Sequence, residues 1–121
     1  MLIVQKFGGT SVGDLERIGN VAARVSESKK QGHDIVVVVS AMSGETNKLV
    51  GYAEHFSSNP AAAEMDMLLS SGERVTASLV SIALGELGHK ATAMTGRKAG
   101  IVTDLQHTKA RIEEINPKNM Q

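Results

Sequence analysis

Two short apolar runs near the N-terminus constrain the fold more than any other feature of the sequence. Leu2 to Gln5 and the β-branched run IVVVV at 35–39 carry almost no polar residue, which is typical of strands buried on both faces of a sheet. Between the two runs, apolar residues recur at helical spacing, at Leu15, Ile18, Ala22 and Val25. Strand, helix and strand in this order predict a βαβ unit and hence a parallel sheet with a right-handed crossover.

The start of the first helix has two candidate caps. Ser11 and Asp14 stand three residues apart, which has the form of a capping box, and Asp14 could equally be the cap itself. At the other end, two lysines in the last turn followed by Gly32 indicate a normal helix stop.

The remaining segments predict an α/β domain with four or five strands and three helices. The segment at 40–56 begins as a loop and becomes a helix with one shared face: Met42, Thr46, Leu49, Val50 and Ala53. Residues 61–87 predict one long helix or two abutting ones, with an apolar stripe: Met65, Leu68, Leu69, Val75, Leu79, Ile82 and Leu87. ATAM (91–94), IVT (101–103) and ARIEEI (110–115) resemble short strands. Helices packed around a sheet are the expected architecture.

Composition argues against several classes of protein. The sequence has 13 basic and 13 acidic residues and only three aromatic ones, Phe7, Tyr52 and Phe56, so neither a basic patch nor a base-stacking platform for nucleic acid is expected. There is no cysteine, and the four histidines, predicted to be surface residues, have no ligand spacing, so we expect no metal site formed by this chain. No apolar run approaches the ~20 residues that span a bilayer, and the N-terminus lacks the pattern of a secretory signal. A cytoplasmic location is consistent with these features.

Lys6 is the first candidate functional residue, because it ends an apolar strand just before Gly8 and Gly9. Ligands of doubly wound sheets bind beyond the carboxyl ends of the strands. Bare glycine amides, a lysine and the N-terminus of the following helix could together hold an anion such as phosphate. A tight turn with a solvated lysine is the alternative, since neither G-x-x-x-x-G-K-[ST] nor G-x-G-x-x-G is present.

Glu73 is the second candidate, because helical steps from Leu69 place this carboxylate in line with the apolar flank, where it needs a partner. Gly72 lies beside it, although glycine costs about 1 kcal/mol relative to alanine in a helix, so a close approach is expected there. Glu73 could bind a cationic group, pair with Arg74 or reach water. Ser40 ends the second strand at the same rim of the sheet as the glycine loop, and Thr46 interrupts the apolar face of the next helix. Hydroxyls at strand ends serve as helix caps or as ligands, and Ser43 could equally be the cap here.

Four blocks of the sequence resemble the aspartate kinases of the amino-acid kinase superfamily, in order and spacing. They are KFGGTSV (6–12), VVVVSAMSGETNKL (36–49), EMDMLLSSGERVTASL (64–79) and TGRKAGIVTD (95–104), and the resemblance extends over essentially the whole chain. It implies a three-layer α/β/α sandwich with a mainly parallel sheet. It also implies transfer of the γ-phosphoryl group of Mg²⁺-bound ATP to the side-chain carboxylate of L-aspartate, giving 4-phospho-L-aspartate.

The same resemblance implies roles for individual residues. Lys6 would be the catalytic cation, and Lys6, Phe7, Gly8 and Gly9 would surround the phosphate groups of ATP. Ser40, Thr46 and Glu73 would bind the substrates, with Glu73 holding the α-ammonium group of aspartate.

Members of that family are several times longer, so residues 1–121 correspond to the N-terminal, acceptor-binding lobe without the nucleotide lobe or the regulatory domains. We therefore expect the chain alone to be inactive and to self-associate, as a homo-oligomer, through its unfinished sheet edge. Another member of the superfamily and a non-catalytic module that self-associates are the alternatives.

Overall fold

The β1–β2 sheet and three helices form the body of the chain, as seen in a computed structural model that describes residues 1–121. The helices are α1 (Leu15–Lys30), α2 (Glu45–Phe56) and α3 (Ala62–Glu86). The strands are β1 (Leu2–Phe7), β2 (Asp34–Val39), β3 (Ile101–Thr103) and β4 (Ile112–Ile115), and a 3₁₀ turn follows at Pro117–Asn119. None of the helices combines the length and apolar composition needed to cross a bilayer.

The predicted βαβ unit is present, because β1 and β2 pair in parallel with α1 as the crossover between them. Asp14 is the cap of α1: its carboxylate accepts a hydrogen bond of 2.8 Å from the Arg17 amide. The Ser11 side chain accepts no hydrogen bond from the first turn of α1. Of the two candidate caps, Asp14 is therefore the one that the structure shows.

Only one face of the β1–β2 sheet is covered. Phe7, Ile35, Val37 and Val39 pack against a core formed by Val12 and by residues of α1 and α3: Ile18, Val21, Ala22, Val25, Val80 and Leu84. On the opposite face, Leu2 and Val4 are 65% and 62% exposed and Val38 is 44% exposed. The expectation that IVVVV is buried on both faces is therefore wrong for this chain, because no element packs on that second face.

The segment 61–87 contains one helix, α3, and not two, but its buried face differs from the predicted stripe. The buried positions are Gly72, Thr76, Val80 and Leu84, whereas three stripe residues, Val75, Ile82 and Leu87, are about half exposed or more. Small residues at positions 72 and 76 let α3 approach its neighbours closely, so the packed face runs through them and not through the larger side chains beside them.

The C-terminal region differs from the prediction in one strand. Residues 91–94 have no regular secondary structure and pair with no other segment, so ATAM is not a strand. β3 and β4 are present and pair antiparallel as a separate two-stranded hairpin. The four strands and three helices thus agree with the predicted count.

Candidate functional site

A polar cavity of about 520 Å³ lies where the first two strands end. Its walls come from the glycine loop after β1, from the β2–α2 connection with the first turn of α2, and from one residue of α3. The residues that line it are Gly9, Thr10, Ser40, Ala41, Met42, Ser43, Gly44, Thr46, Asn47 and Glu73. We call this cavity the polar pocket.

The ends of the two strands bring the loops together. The Ser40 amide donates a hydrogen bond of 3.3 Å to the Phe7 carbonyl, which continues the sheet ladder by one step. Arg17 then braces the glycine loop from α1, because its guanidinium donates to the Thr10 carbonyl at 2.7 Å. The loop is thereby held at the carboxyl edge of the sheet.

A close contact between α3 and the β2–α2 connection positions Glu73. A Cβ atom added to Gly72 would lie 3.0 Å from the Cβ atom of Ala41, which is tighter than an ordinary contact, so glycine permits the close approach of the two elements without a shift. The predicted close approach at Gly72 is confirmed. It sets the next residue, Glu73, at the wall of the polar pocket.

Four of the sequence-predicted residues meet in this pocket: Gly9, Ser40, Thr46 and Glu73. Lys6, Phe7 and Gly8 lie outside its lining. Lys6 is exposed on the uncovered sheet face, opposite Val38, with no carboxylate within ion-pair distance. The Phe7 side chain packs into the core instead.

Two sequence-based expectations about burial are wrong at the pocket. Thr46 does not belong to the buried face of α2, since its side chain is exposed to the cavity. Glu73 is also exposed, and it neither pairs with Arg74 nor makes another ion pair. Its carboxylate is therefore accessible to solvent and available to a ligand.

Several backbone donors around the pocket are unused. The amides of Gly8 and Gly9 donate to no acceptor of the chain. Helix α2 begins at Gly44, which has a left-handed backbone (φ of 80°) and supplies no side-chain cap, and the amides of Thr46 and Asn47 also lack an acceptor. Free amides at the start of a helix favour negative charge. The pocket thus offers donors for an anionic group and a carboxylate for a cationic one.

Sequence reasoning missed three polar residues of the lining: Thr10, Ser43 and Asn47. Thr10 and Asn47 directly follow predicted site residues, and Ser43 lies three residues from two of them. All three therefore belong to the segments that were singled out, but no periodicity indicates which side chains turn toward a cavity.

The prediction that all four histidines are surface residues is wrong in part. His89 is half-buried, and its Nε2 lies 2.7 Å from the Oγ atom of buried Ser26. No group of three or more histidine, aspartate or glutamate side chains is placed to hold a metal ion.

An α/β sheet with a polar pocket at the carboxyl ends of its strands defines a class of small-molecule-binding proteins. Comparison with known proteins identifies the family. A model of the amino acid kinase family matches residues 1–121, and the chain belongs to that family.

Aspartokinases are among the proteins to which the chain is similar. The chain is 50% identical to the aspartokinase of Helicobacter pylori strain J99 and 55% identical to that of Bacillus sp. strain MGA3; each match covers 99% of this chain. These matches cover 30% and 29% of the two relatives, so the chain spans less than a third of their length.

Solved structures agree with this assignment. The crystal structure of aspartate kinase from Synechocystis is 51% identical with a TM-score of 0.78, over 84% of this chain and 17% of that one. Escherichia coli aspartokinase III, crystallised with aspartate and ADP, has the same TM-score over 93% of this chain and 35% of that one. At 23% identity this second likeness shows the fold alone.

Proposed function

We propose that this chain forms the acceptor-binding part of an aspartate kinase. The complete enzyme would transfer the γ-phosphoryl group of ATP to the side-chain carboxylate of L-aspartate, giving 4-phospho-L-aspartate and ADP. This would be the first step of lysine, threonine and methionine biosynthesis, carried out in the cytoplasm. The names of relatives at 50–55% identity over nearly the whole chain support the assignment.

The observation that carries the proposal is the mixed chemistry of the polar pocket. Aspartate is a zwitterion with an additional carboxylate, so its site needs donors for the carboxylates and an acceptor for the ammonium group. The free amides of Gly9, Thr46 and Asn47 supply donors, and the unpaired carboxylate of Glu73 supplies the acceptor. Ser40 and Thr46 add hydroxyls, which can serve either end of the ligand.

Phosphoryl transfer asks mainly for positioning and for stabilisation of negative charge. We assign the second task to Lys6, with the amides of Gly8 and Gly9. Lys6 lies three residues before Gly9 at the end of β1, and a lysine side chain is long and flexible enough to turn toward a phosphoryl group at that edge. Phe7 would act through its backbone, because its ring is packed in the core.

Magnesium does not find a ligand set in this chain. Mg²⁺ favours several carboxylate, phosphate or water oxygens in octahedral geometry. The polar pocket contains a single carboxylate. The ion would therefore arrive bound to the phosphate oxygens of ATP, and none of the roles assigned to Lys6, Ser40, Thr46 or Glu73 depends on it.

An NMR titration of the ¹⁵N-labelled chain with L-aspartate tests the acceptor site. We expect saturable shifts of the Gly9, Thr46 and Glu73 amides, weakened at least tenfold in Glu73→Gln, because that change removes the charge that faces the ammonium group. Glu64→Gln is the matched control, since it alters an exposed carboxylate on the same helix outside the pocket. Equal affinity for aspartate in both variants, or no saturable shift in the parent chain, would contradict the assignment of the polar pocket as the aspartate site.

A trapping assay with hydroxylamine tests the expected lack of activity. Incubation of the chain with ATP, Mg²⁺ and aspartate should yield no acyl hydroxamate, because most of the relatives' length has no counterpart in this chain. Hydroxamate formation above the rate without protein would contradict the expectation that the chain alone is inactive.

A second proposal concerns assembly. The uncovered face of the β1–β2 sheet and the unpaired outer edges of both strands support self-association of this chain, in agreement with the sequence-based expectation. Sedimentation of the parent chain beside a variant with a charge on the uncovered face tests this proposal.

A further inference from the structure

The β3–β4 hairpin is connected to the rest of the molecule mainly through one side chain. Neither strand makes extensive contact with a helix or with the β1–β2 sheet. The exception is Asp66 on α3, which meets the tip of the hairpin more than forty positions away along the sequence. Its two carboxylate oxygens each lie 3.0 Å from the Thr108 amide, and Oδ2 lies 2.9 Å from Nδ1 of His107.

The tip is held in a conformation that an isolated loop would rarely adopt. Thr108 is the only non-glycine residue of the chain with a positive φ, at 64°. A β-branched residue in this left-handed region is strained, and such strain persists only where surrounding contacts oppose it. The hydrogen bonds from this very amide to Asp66 are the contacts that do so, and hydrogen bonds to a charged group are stronger than neutral ones.

Asp66 stands on the same side of α3 as Glu73. The two residues are seven positions apart, which is nearly two full turns of a helix, so both side chains leave the helix in about the same direction and lie about 10 Å apart along its axis. The hairpin tip is thus fixed on the helix face that also presents Glu73 to the polar pocket.

Charge does not set the hairpin apart from the rest of the surface. Lys109 and Arg111 are exposed without a carboxylate partner, but residues 101–115 also carry Asp104, Glu113 and Glu114. The placement of the hairpin therefore depends on the Asp66 contacts, and it does not depend on the proposed function.

We propose that Asp66 is a positioning residue that latches the β3–β4 hairpin as a strap on the face of α3 that also carries Glu73. With the latch intact, the tip of the strap stays at Asp66, about two helical turns from Glu73. When the Asp66 contacts are lost, the strap keeps its own pairing between β3 and β4 but moves away from α3.

A distance measurement between two spin labels tests the latch. The chain has no cysteine, so Lys109→Cys and Glu86→Cys attach nitroxides only at the strap and at the end of α3. The label on α3 lies about 30 Å along the helix from Asp66, well placed for pulsed dipolar spectroscopy. We expect a single narrow distance distribution in this background and a broad one once Asp66→Ala is added.

Matched variants separate the latch from a general loss of stability. Glu64→Ala removes an exposed carboxylate of the same helix and should leave the distribution narrow. Asp66→Asn keeps an acceptor for the Thr108 amide and should restore part of the narrow component. His107→Ala cuts one contact from the strap side without touching α3, and should also broaden the distribution.

Hydrogen exchange gives a second readout at the contact itself. The Thr108 amide should exchange at least tenfold faster in Asp66→Ala, while amides in the middle of α1 and α3 keep their protection. A distribution that stays narrow in Asp66→Ala, with unchanged exchange of Thr108, would overturn the proposal. Neither readout involves aspartate, so the latch and the proposed function can fail independently.

Discussion

At the residue scale, two glycines of α3 have opposite roles. A Cβ atom added to Gly72 would lie only 3.0 Å from the Cβ atom of Ala41, whereas an added Cβ at Gly85 would meet nothing within 4 Å. Both cost helix stability relative to alanine, but only Gly72 permits a contact that offsets this cost, the one that sets Glu73 at the polar pocket.

Alanine substitutions at the two glycines should therefore change stability in opposite directions. Gly85→Ala should raise the free energy of unfolding by about 0.5–1 kcal/mol, through helix propensity alone. Gly72→Ala gains the same propensity but pushes α3 from the β2–α2 connection, and overpacking of this kind costs about 1–3 kcal/mol, so a net loss of about 1 kcal/mol is expected. Urea unfolding followed by circular dichroism measures both. Equal stabilisation by the two substitutions would show that the contact at Ala41 is easily relaxed.

At the element scale, the start of α1 has consequences for the glycine loop in front of it. Asp14 caps the helix, and Arg17, in the first turn, reaches back to the Thr10 carbonyl. The cap and the brace together join the loop to the helix. The acidic Glu16 in the first turn and the lysines in the last turn further agree with the helix dipole.

Removing the cap should destabilise the domain, whereas removing the other candidate should not. Asp14→Ala leaves the Arg17 amide without its acceptor and should lower the free energy of unfolding by about 1 kcal/mol. Ser11→Ala changes an exposed side chain that makes no hydrogen bond, and should stay within about 0.5 kcal/mol of the parent. Thermal unfolding of the two variants measures both changes. A larger loss of stability in Ser11→Ala than in Asp14→Ala would show that Ser11 is the cap and would contradict the assignment of Asp14.

At the scale of the whole molecule, the dominant feature is a sheet with one bare face. Leu2 and Val4 are neighbours on one strand of this face, Val36 pairs opposite Val4, and Val38 pairs opposite Lys6. Exposed apolar side chains grouped on one face are typical of a contact surface. The relatives are more than three times as long as this chain, which is consistent with a face that further protein covers in them.

Sedimentation velocity tests whether this face drives self-association. We expect a concentration-dependent shift from monomer toward dimer, reduced in Val4→Lys, because burying an unpaired ammonium group opposes association. Phe56→Ser, at a residue that is 88% exposed on α2, controls for loss of surface hydrophobicity elsewhere. A strictly monomeric parent chain, or the same decrease in both variants, would count against the sheet face as the contact.

Local sequence patterns were sufficient for the elements that depend on neighbours along the chain. The βαβ unit, the three helices and the β3–β4 strands follow from apolar period, glycine stops and turn residues, which act over a few positions. The same patterns also singled out Gly9 and Ser40, because ends of parallel strands meet at one edge of a sheet. Thr46 and Glu73 were singled out for another reason, as polar residues in line with the apolar faces of helices.

Burial and long-range contact were decided only by the tertiary structure. Val75 and Ile82 are residue types that are usually found in cores, yet α3 packs through Gly72 and Thr76. The helix face with the smaller side chains is the one that fits against Ala41 and α1. The latch between Asp66 and Thr108 joins residues that no periodicity relates. Sequence alone therefore determined which helices and strands form and where the strand ends meet; the packing of surfaces determined which residues line the pocket, because the space available depends on every neighbour at once.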